Sequence, residues 1–196
     1  MHYWLTRWVA VFIFKVFFKG RVIGRQNIPL TGGFILASNH LSFLDPVVMG
    51  IASPRKLSYM ARDSLFRNFW FGLLIRLYNA FPVRRGSPDR GALKEAQDRL
   101  ARGQGLLMFP EGSRSADFRG NPKAGVGFLA CRMQVPVIPA FIQGTDKALP
   151  KGGRWLRRFP ITVFLGSPLY FRPGVSYEDF SRQVISRIYE LGGKIE

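Results

Sequence analysis

A histidine and a carboxylate stand five positions apart just after an apolar segment. His40 and Asp45 follow the run Phe34–Ala37, and the only other histidine is His2, near the start of the chain. A neutral imidazole accepts a proton near pH 7, and a neighbouring carboxylate can fix its tautomer and stabilise the imidazolium that forms. This pair therefore predicts a general base and the residue that orients it.

Two alternatives remain open on this spacing alone. Asp45 precedes Pro46, which is typical of a helix start with the aspartate as cap, and this explanation is as good as the proton relay. Ser42 is a competing nucleophile that would act through an acyl-enzyme. The Gly-x-Ser-x-Gly turn of many serine hydrolases is absent from the sequence. We therefore expect His40 to activate a substrate hydroxyl.

A second segment with chemical groups, Phe-Pro-Glu-Gly-Ser-Arg at 109–114, follows the apolar run 105–109. Two smaller blocks are Phe-Pro-Val-Arg-Arg-Gly at 81–86 and Val-Pro-Val-Ile-Pro at 135–139. Together with Asn-His-x4-Asp at 39–45, these blocks resemble, in this order, the phospholipid acyltransferases typified by 1-acyl-glycerol-3-phosphate acyltransferase. The resemblance spans about residues 24–144.

The resemblance implies that a glycerol hydroxyl attacks an acyl thioester, with His40 removing the hydroxyl proton and Asp45 orienting His40. The implied acceptor is lysophosphatidic acid, which would become phosphatidic acid, and the implied donor is acyl-CoA or acyl-carrier protein. No further cofactor is expected. A lyso-ornithine lipid or glycerol 3-phosphate remains an alternative acceptor.

The resemblance also implies a set of substrate-binding residues. Glu111 would organise the site or bind a glycerol hydroxyl, Arg114 would bind phosphate, and Lys123 would steady the developing oxyanion. Arg84 and Arg85 end a predicted strand, and guanidinium groups suit a phosphomonoester. The full expected set is Arg84, Arg85, Glu111, Gly112, Ser113, Arg114 and Lys123, with Arg84 as the inner arginine of its pair and Gly112 permitting close backbone approach.

The charge balance indicates an anionic partner. The chain of 196 residues has 29 Lys and Arg against 12 Asp and Glu, which gives a net charge of +17. Because 18 Phe and 4 Trp accompany these charges, an anionic phospholipid membrane is favoured over nucleic acid, although a basic nucleic-acid-binding module stays a distant alternative. One cysteine, Cys131, fits a reducing compartment, and the histidines and cysteine provide no metal-ligand cluster.

The N-terminal segment predicts a helix that lies at a membrane interface. Tyr3–Phe18 is largely apolar, but Arg7 and Lys15 interrupt it, and its longest apolar part is far below the ~20 residues that cross a bilayer. We expect residues 1–20 to associate with the membrane, with Arg7, Lys15 and Lys19 reaching lipid phosphates, and residues 21–196 to form the catalytic domain. The alternative is a helix docked on the protein's own core. The expected location is peripheral or monotopic on the cytoplasmic face of a membrane.

Strand-like and helix-like segments alternate along the chain, which predicts a single α/β domain with a mainly parallel sheet flanked by helices. His40 would then lie at the carboxyl end of a strand, where open α/β sheets place their sites. The predicted strands cover 21–24, 34–37, 56–61, 81–83, 106–109, 137–142 and 161–165. Helices are predicted from Asp45, over 66–80, from Ser87 to Gly103, over 126–133, and after a cap at Ser176.

Overall fold

The computed structural model of the chain describes residues 2–84, 89–112 and 124–193. Within them the helices are α1 (His2–Val16), α2 (Asp45–Ala52), α3 (Phe69–Leu77), α4 (Arg90–Ala101), α5 (Gly125–Met133), α6 (Thr145–Ala148) and α7 (Tyr177–Gly193). The strands in the same residues are β1 (Arg21–Ile23), β2 (Phe34–Ser38), β3 (Leu57–Arg62), β4 (Ala80–Val83), β5 (Gly105–Met108), β6 (Val137–Gln143) and β7 (Thr162–Leu165).

These strands form one sheet in the order β1-β7-β6-β2-β5-β3-β4. The strands β6, β2, β5, β3 and β4 are parallel, whereas β7 is antiparallel to β6 and carries β1 with it. β2 is central, since Phe34–Ala37 pair with Gly105–Met108 of β5 and Ile35–Ser38 pair with Val137–Ala140 of β6. The predicted mainly parallel α/β sheet is confirmed.

The buried strand β2 divides the core into two layers. Successive side chains of a strand point to opposite faces, so Phe34 and Leu36 join the layer beneath α1 and α2. Ile35 and Ala37 join the layer beneath α4, α5 and α7. Helices on both faces explain why β2 is apolar at every position up to Ser38.

The aromatic helix predicted over 66–80 is shorter than expected. A 3-10 turn covers Asp63–Phe66, and α3 begins only at Phe69, because the Asn68 side chain accepts a hydrogen bond from the Phe71 amide. The helix ends before Asn79, whose φ of +64° leaves the helical region. Polar side chains that cap a helix thus override an apolar run.

The helix after β4 also begins later than predicted. Ser87 lies outside the described residues, and α4 begins at Arg90 with Asp89 as its cap, where the carboxylate accepts from the Ala92 amide at 3.0 Å. The C-terminal helix is confirmed: Ser176 accepts from the Asp179 amide at 3.0 Å, and Phe180 is buried.

Two arginines fix the far end of α2, the helix whose first residue is Asp45. Arg7 donates to the carbonyl oxygens of Gly50 and Ser53, and Arg25 donates to Ala52 and Ile51 at 2.9 and 2.8 Å. These carbonyls lack partners inside the helix, and cations suit the negative end of the helix dipole. Burial, and then the nearby Arg7 charge, lower the pKa of Arg25. The predicted contact of Arg7 with lipid phosphate is therefore wrong, because α2 holds its guanidinium.

The helix α1 presents two apolar faces. Phe14 and the following Phe18 are buried in the core, whereas Trp8, Phe12 and Val16 are exposed. One face of α1 therefore docks on the protein core, and the other face is exposed. Among the described residues, no helix combines the length and apolar character needed to cross a bilayer.

Helix α7 packs against α5 at a glycine. The Gly127 amide donates to the buried Ser181 hydroxyl at 3.1 Å, and a Cβ at position 127 would stand 2.1 Å from the Tyr177 carbonyl oxygen. A side chain here would force the two helices apart.

We therefore expect Gly127→Ala to lower the free energy of unfolding by about 1–3 kcal/mol, the usual cost of overpacking, despite the better helix propensity of alanine. Gly125→Ala in the same helix is the control, because its Cβ would meet only Met108 at an ordinary 3.7 Å. Urea denaturation measures both variants. Equal stabilities of the two variants would contradict this account of the α5–α7 contact.

Candidate active site

Those predicted site residues that the structure describes follow strands that end at one edge of the sheet. Because β2, β5, β3 and β4 are parallel, their carboxyl ends meet there. His40 follows β2, Glu111 follows the adjacent β5, and Arg84 follows β4. With neighbouring strands about 4.8 Å apart, β4 lies about 14 Å from β2. This edge holds the imidazole at its centre and an arginine toward its rim.

Asp45 is fully buried, and one of its oxygens organises the loop between β2 and α2. Oδ2 accepts hydrogen bonds from His40 Nδ1 at 2.8 Å, from the Leu41 amide at 2.6 Å and from the Ser42 amide at 2.8 Å. Oδ1 is buried and has no hydrogen-bond partner among the described residues. The carboxylate makes no capping bond to its own helix, so the interpretation of Asp45 as an ordinary cap is wrong.

His40 has one ring nitrogen committed and the other available. A neutral imidazole carries a single N–H, so donation from Nδ1 to Asp45 leaves the lone pair on Nε2. The ring stacks on Phe109 with centroids 4.0 Å apart and planes 17° apart, and the side chain is 12% exposed. The imidazole is therefore held in one orientation by Asp45 and Phe109, with Nε2 left to act as a base.

Ser42 is committed to the backbone. Its hydroxyl is buried, donates to the Leu149 carbonyl oxygen at 2.9 Å and accepts from the Leu44 amide at 3.3 Å. A nucleophilic serine would instead present its hydroxyl to the histidine and to an open cleft. This geometry contradicts the serine-esterase alternative.

Asn39, the residue before His40, has a structural role that the motif did not predict. Its Nδ2 donates to the Ile142 carbonyl oxygen at 2.9 Å, and its Oδ1 accepts from the Ile142 amide at 2.7 Å. A side-chain amide carries one acceptor and a donor, as a peptide unit does. Asn39 thus extends the pairing of β2 with β6 by one step and fixes the point at which His40 leaves the sheet.

Glu111 lies in a tight turn after β5 and pairs with the C-terminal helix. The Gly112 amide donates to the Phe109 carbonyl oxygen at 2.9 Å, and Gly112 has a φ of +68°, which favours glycine. The Tyr189 hydroxyl of α7 donates to Glu111 Oε1, and Oε2 is buried with no partner among the described residues. Tyr189 belongs to none of the sequence motifs. The only sequence signal for it is its position next to the buried side of the amphipathic helix α7.

Burial raises the pKa of Glu111 above its ordinary value. The hydrogen bond from Tyr189 and the charge of His40 oppose this rise in the pKa, and the charge of Asp45 adds to it. The charges of His40 and Asp45 therefore act on the Glu111 carboxyl group.

The predicted anion-binding residues are described only in part. Arg84 is exposed, its amide donates to Asp89 Oδ2 at 2.9 Å, and its side chain borders a cleft of about 800 Å³ that Arg76 and Arg99 also line. This cleft lies beside β4 and does not include His40. Four predicted residues lie outside the described ranges, and their roles stay predictions: Arg85, Ser113, Arg114 and Lys123.

Comparison with known proteins gives a consistent set of relatives. A protein of Bacillus subtilis named 1-acyl-sn-glycerol-3-phosphate acyltransferase is 30% identical over 153 residues, which is 76% of this chain and 73% of the relative. The chloroplastic 1-acyl-sn-glycerol-3-phosphate acyltransferase BAT2 of Brassica napus is 28% identical over 86% of this chain, which spans 50% of that plant protein.

A solved structure has the same fold. The crystal structure of the 1-acyl-sn-glycerophosphate acyltransferase PlsC of Thermotoga maritima matches with a TM-score of 0.71 and 25% identity, covering 97% of this chain and 82% of that one. The family model described as Acyltransferase matches residues 19–143, which contain His40, Asp45 and Glu111. The chain is therefore a member of the acyltransferase family.

Proposed function

We propose that this chain transfers a fatty acyl group from an acyl thioester to the free hydroxyl of 1-acyl-sn-glycerol 3-phosphate, giving phosphatidic acid. The observation that carries the proposal is the His40 ring, which the buried Asp45 holds at the carboxyl end of β2 with Nε2 available. The named relatives support the choice of acceptor. Acyl-CoA or acyl-carrier protein is the proposed donor, and the thioester itself makes a further cofactor unnecessary.

The proposed reaction uses His40 first as base and then as acid. Nε2 takes the proton of the glycerol hydroxyl, and the oxygen forms a C–O bond to the thioester carbonyl carbon. The resulting oxyanion collapses, the C–S bond breaks, and the departing thiolate receives the proton from the imidazolium. Asp45 balances the imidazolium charge throughout.

Glu111 is proposed to organise the same site. Its carboxyl group is coupled to His40, so its ionised form favours the imidazolium that the reaction creates. The bond from Tyr189 fixes Oε1, and the turn closed by the Gly112 amide returns the backbone to the Phe109 carbonyl oxygen. The ring of the same Phe109 stacks on His40. Glu111 thus acts on the proton acceptor and need not touch the acyl chain.

Cationic residues after β4 and β5 are proposed to bind the acceptor phosphate. Arg84 stands at the rim of the carboxyl edge, and Arg85, Ser113 and Arg114 follow the same two strands in the sequence. Lys123 is proposed to steady the oxyanion. A phosphate held by guanidinium groups would orient the glycerol hydroxyl toward His40.

An exposed apolar surface is proposed to lie in the membrane interface. We name it the aromatic face, which consists of Trp8, Val9, Phe12, Ile13 and Val16 of α1 with Phe69, Trp70, Leu73, Leu74 and Leu77 of α3. The Tyr78 hydroxyl, just after α3, donates to Thr6 Oγ1 of α1 at 2.9 Å and joins the two helices. Exposed patches of this kind mark interaction sites. We propose a peripheral or monotopic location on the cytoplasmic face, where the acceptor need not leave the leaflet.

A panel of acceptors tests the proposed function directly. Free thiol release from acyl-CoA, and from acyl-carrier protein, is expected to be fastest with 1-acyl-sn-glycerol 3-phosphate. Arg84→Gln is expected to raise KM for this acceptor about tenfold or more, the usual effect of losing a charge-assisted hydrogen bond. Arg102→Gln, at the exposed residue that follows α4, is the control. Faster thiol release with lyso-ornithine lipid or glycerol 3-phosphate would identify that compound as the acceptor instead. Tight RNA binding without acyl transfer would contradict the proposed acyltransferase activity.

Two substitutions in one loop separate the proposed base from the buried serine. His40→Ala should lower kcat by about 10²- to 10⁴-fold, because the general base is lost. Ser42→Ala should leave most of kcat while lowering the free energy of unfolding by about 1–3 kcal/mol, because the Leu149 carbonyl oxygen loses its partner. Thiol release and urea denaturation measure the two effects. Equal losses of kcat would restore the acyl-enzyme route.

The raised pKa of Glu111 predicts a pH-dependent stability. The folded state favours the protonated carboxyl, so this contribution to stability is complete below the ordinary pKa of 4.5 and is lost as pH rises through the higher folded pKa. Glu111→Gln should therefore gain stability relative to the wild type as pH rises through this window. Tyr189→Phe should extend the loss to higher pH, since Tyr189 lowers this pKa.

Urea denaturation over a pH series measures these differences, and Tyr170→Phe at an exposed tyrosine is the control. Parallel curves for the wild type and Glu111→Gln would show that the carboxyl ionises as freely in the folded chain as in the unfolded chain.

A further inference from the structure

We infer that the loop between α6 and β7 is a second lipid-binding surface that docks on anionic headgroups beside the catalytic edge. We name residues 151–158 the basic loop, with the sequence Lys-Gly-Gly-Arg-Trp-Leu-Arg-Arg. The inference rests on the proposed action at a membrane and assigns a surface outside the residues 19–143 that the family model covers.

Among the described residues, no acidic side chain forms an ion pair with the cations of the basic loop. Its four cations are Lys151, Arg154, Arg157 and Arg158, and every residue of the loop is exposed. No Asp or Glu occurs between Asp146 and Glu178. In the part of the chain that the structure describes, the ion pairs lie elsewhere and involve none of these cations. Clustered cations that repel one another indicate an anionic partner.

The tip of the basic loop adds two apolar side chains to these charges. Trp155 is 83% exposed and Leu156 is 51% exposed, and both stand between arginines. Tryptophan prefers the boundary between headgroups and acyl chains, and arginine beside it can pair with lipid phosphate. Charge complementarity to an acidic protein would not require the exposed indole ring of Trp155. A lipid interface accounts for both the cations and the indole ring.

The base of the basic loop is tied to the loop that carries His40. The Ser42 hydroxyl donates to the Leu149 carbonyl oxygen, and the Arg157 amide donates to the Ala148 carbonyl oxygen at 2.8 Å. A turn closed by the Gly153 amide and the Pro150 carbonyl oxygen, 2.9 Å apart, starts the loop. Lipid binding here would hold the catalytic loop at the depth of the headgroups.

The connection that carries the basic loop also contacts the N-terminal segment of the chain. The Ile161 amide donates to the Phe18 carbonyl oxygen at 3.1 Å, which joins the end of this connection to the segment after α1. In the sheet, β6 and β7 lie on one side of β2, and β3 and β4, which flank α3, lie on the other. The bilayer would therefore contact the protein on both sides of His40.

Vesicle binding by the full chain tests this inference. The variant Arg154→Gln/Arg157→Gln/Arg158→Gln removes three loop cations. The control Lys94→Gln/Arg102→Gln/Arg132→Gln removes three exposed cations on the opposite face, one each from α4, from the residue after α4 and from α5. On vesicles of phosphatidylcholine with phosphatidylglycerol, the loop variant should bind about tenfold to a hundredfold more weakly, and the control within about threefold of wild type. Trp155→Ser should weaken the binding that survives high salt.

A turnover measurement separates docking from catalysis and folding. The loop variant should retain wild-type transfer from acyl-CoA to a short-chain acceptor in solution and lose rate only with acceptor embedded in anionic vesicles. Equal loss of vesicle binding in both triple variants would overturn the inference. Unchanged vesicle binding, with loss of transfer only from acyl-carrier protein, would assign the loop to the carrier instead. Because vesicle binding needs no donor, a wild-type protein that binds vesicles but transfers no acyl group would refute the proposed function alone.

Discussion

The structure of the site depends on one buried carboxylate oxygen. Asp45 Oδ2 accepts hydrogen bonds from an imidazole and from two consecutive backbone amides, and the residue is fully inaccessible to solvent. A carboxylate in such a place is costly unless several donors compensate it. The observed conformation of the loop between β2 and α2 satisfies this oxygen, and it sets the direction of the His40 ring. The arginines at the other end of α2 and the Phe109 ring act on the same arrangement from outside.

The residues of the Asn-His-x4-Asp segment divide into those that build the site and those that present a reactive atom. Asn39 substitutes for a peptide unit against β6, and Ser42 satisfies a carbonyl oxygen of the α6–β7 connection. Both use up their polar groups in doing so. His40 differs, because one of its ring nitrogens takes no part in the bond to Asp45. The short motif therefore contains residues that hold the fold next to the residue that performs the chemistry.

Exposed apolar and cationic surfaces surround the edge of the sheet that carries His40. Helix α1 is apolar on the side that packs and largely apolar on the side that faces outward. The connection that touches the catalytic loop carries cations that form no ion pair with any described acidic residue. A helix with apolar side chains on two sides normally has cover on both. The fold supplies one cover through α2, and in the proposed function the lipid interface supplies the other. In the proposed function, the apolar and cationic surfaces would thus place His40 at the lipid interface.

Much of the fold was encoded locally, and much of the site was not. Alternating apolar runs determined the order of strands and helices, and spacing alone put His40 at a strand end; a parallel sheet then followed. Caps at Asn68 and Asp89 changed the helix bounds, because a single side-chain hydrogen bond outweighs an apolar run. Whether Asp45 capped a helix or held a histidine depended on the loop conformation, which spacing cannot give. The pairing of Glu111 with Tyr189, 78 positions away, required α7 to pack on α5 and the sheet. Sequence by itself determined which residue types recur at which intervals. Only the tertiary structure decided which polar atoms are buried together, because burial depends on segments that are distant along the chain.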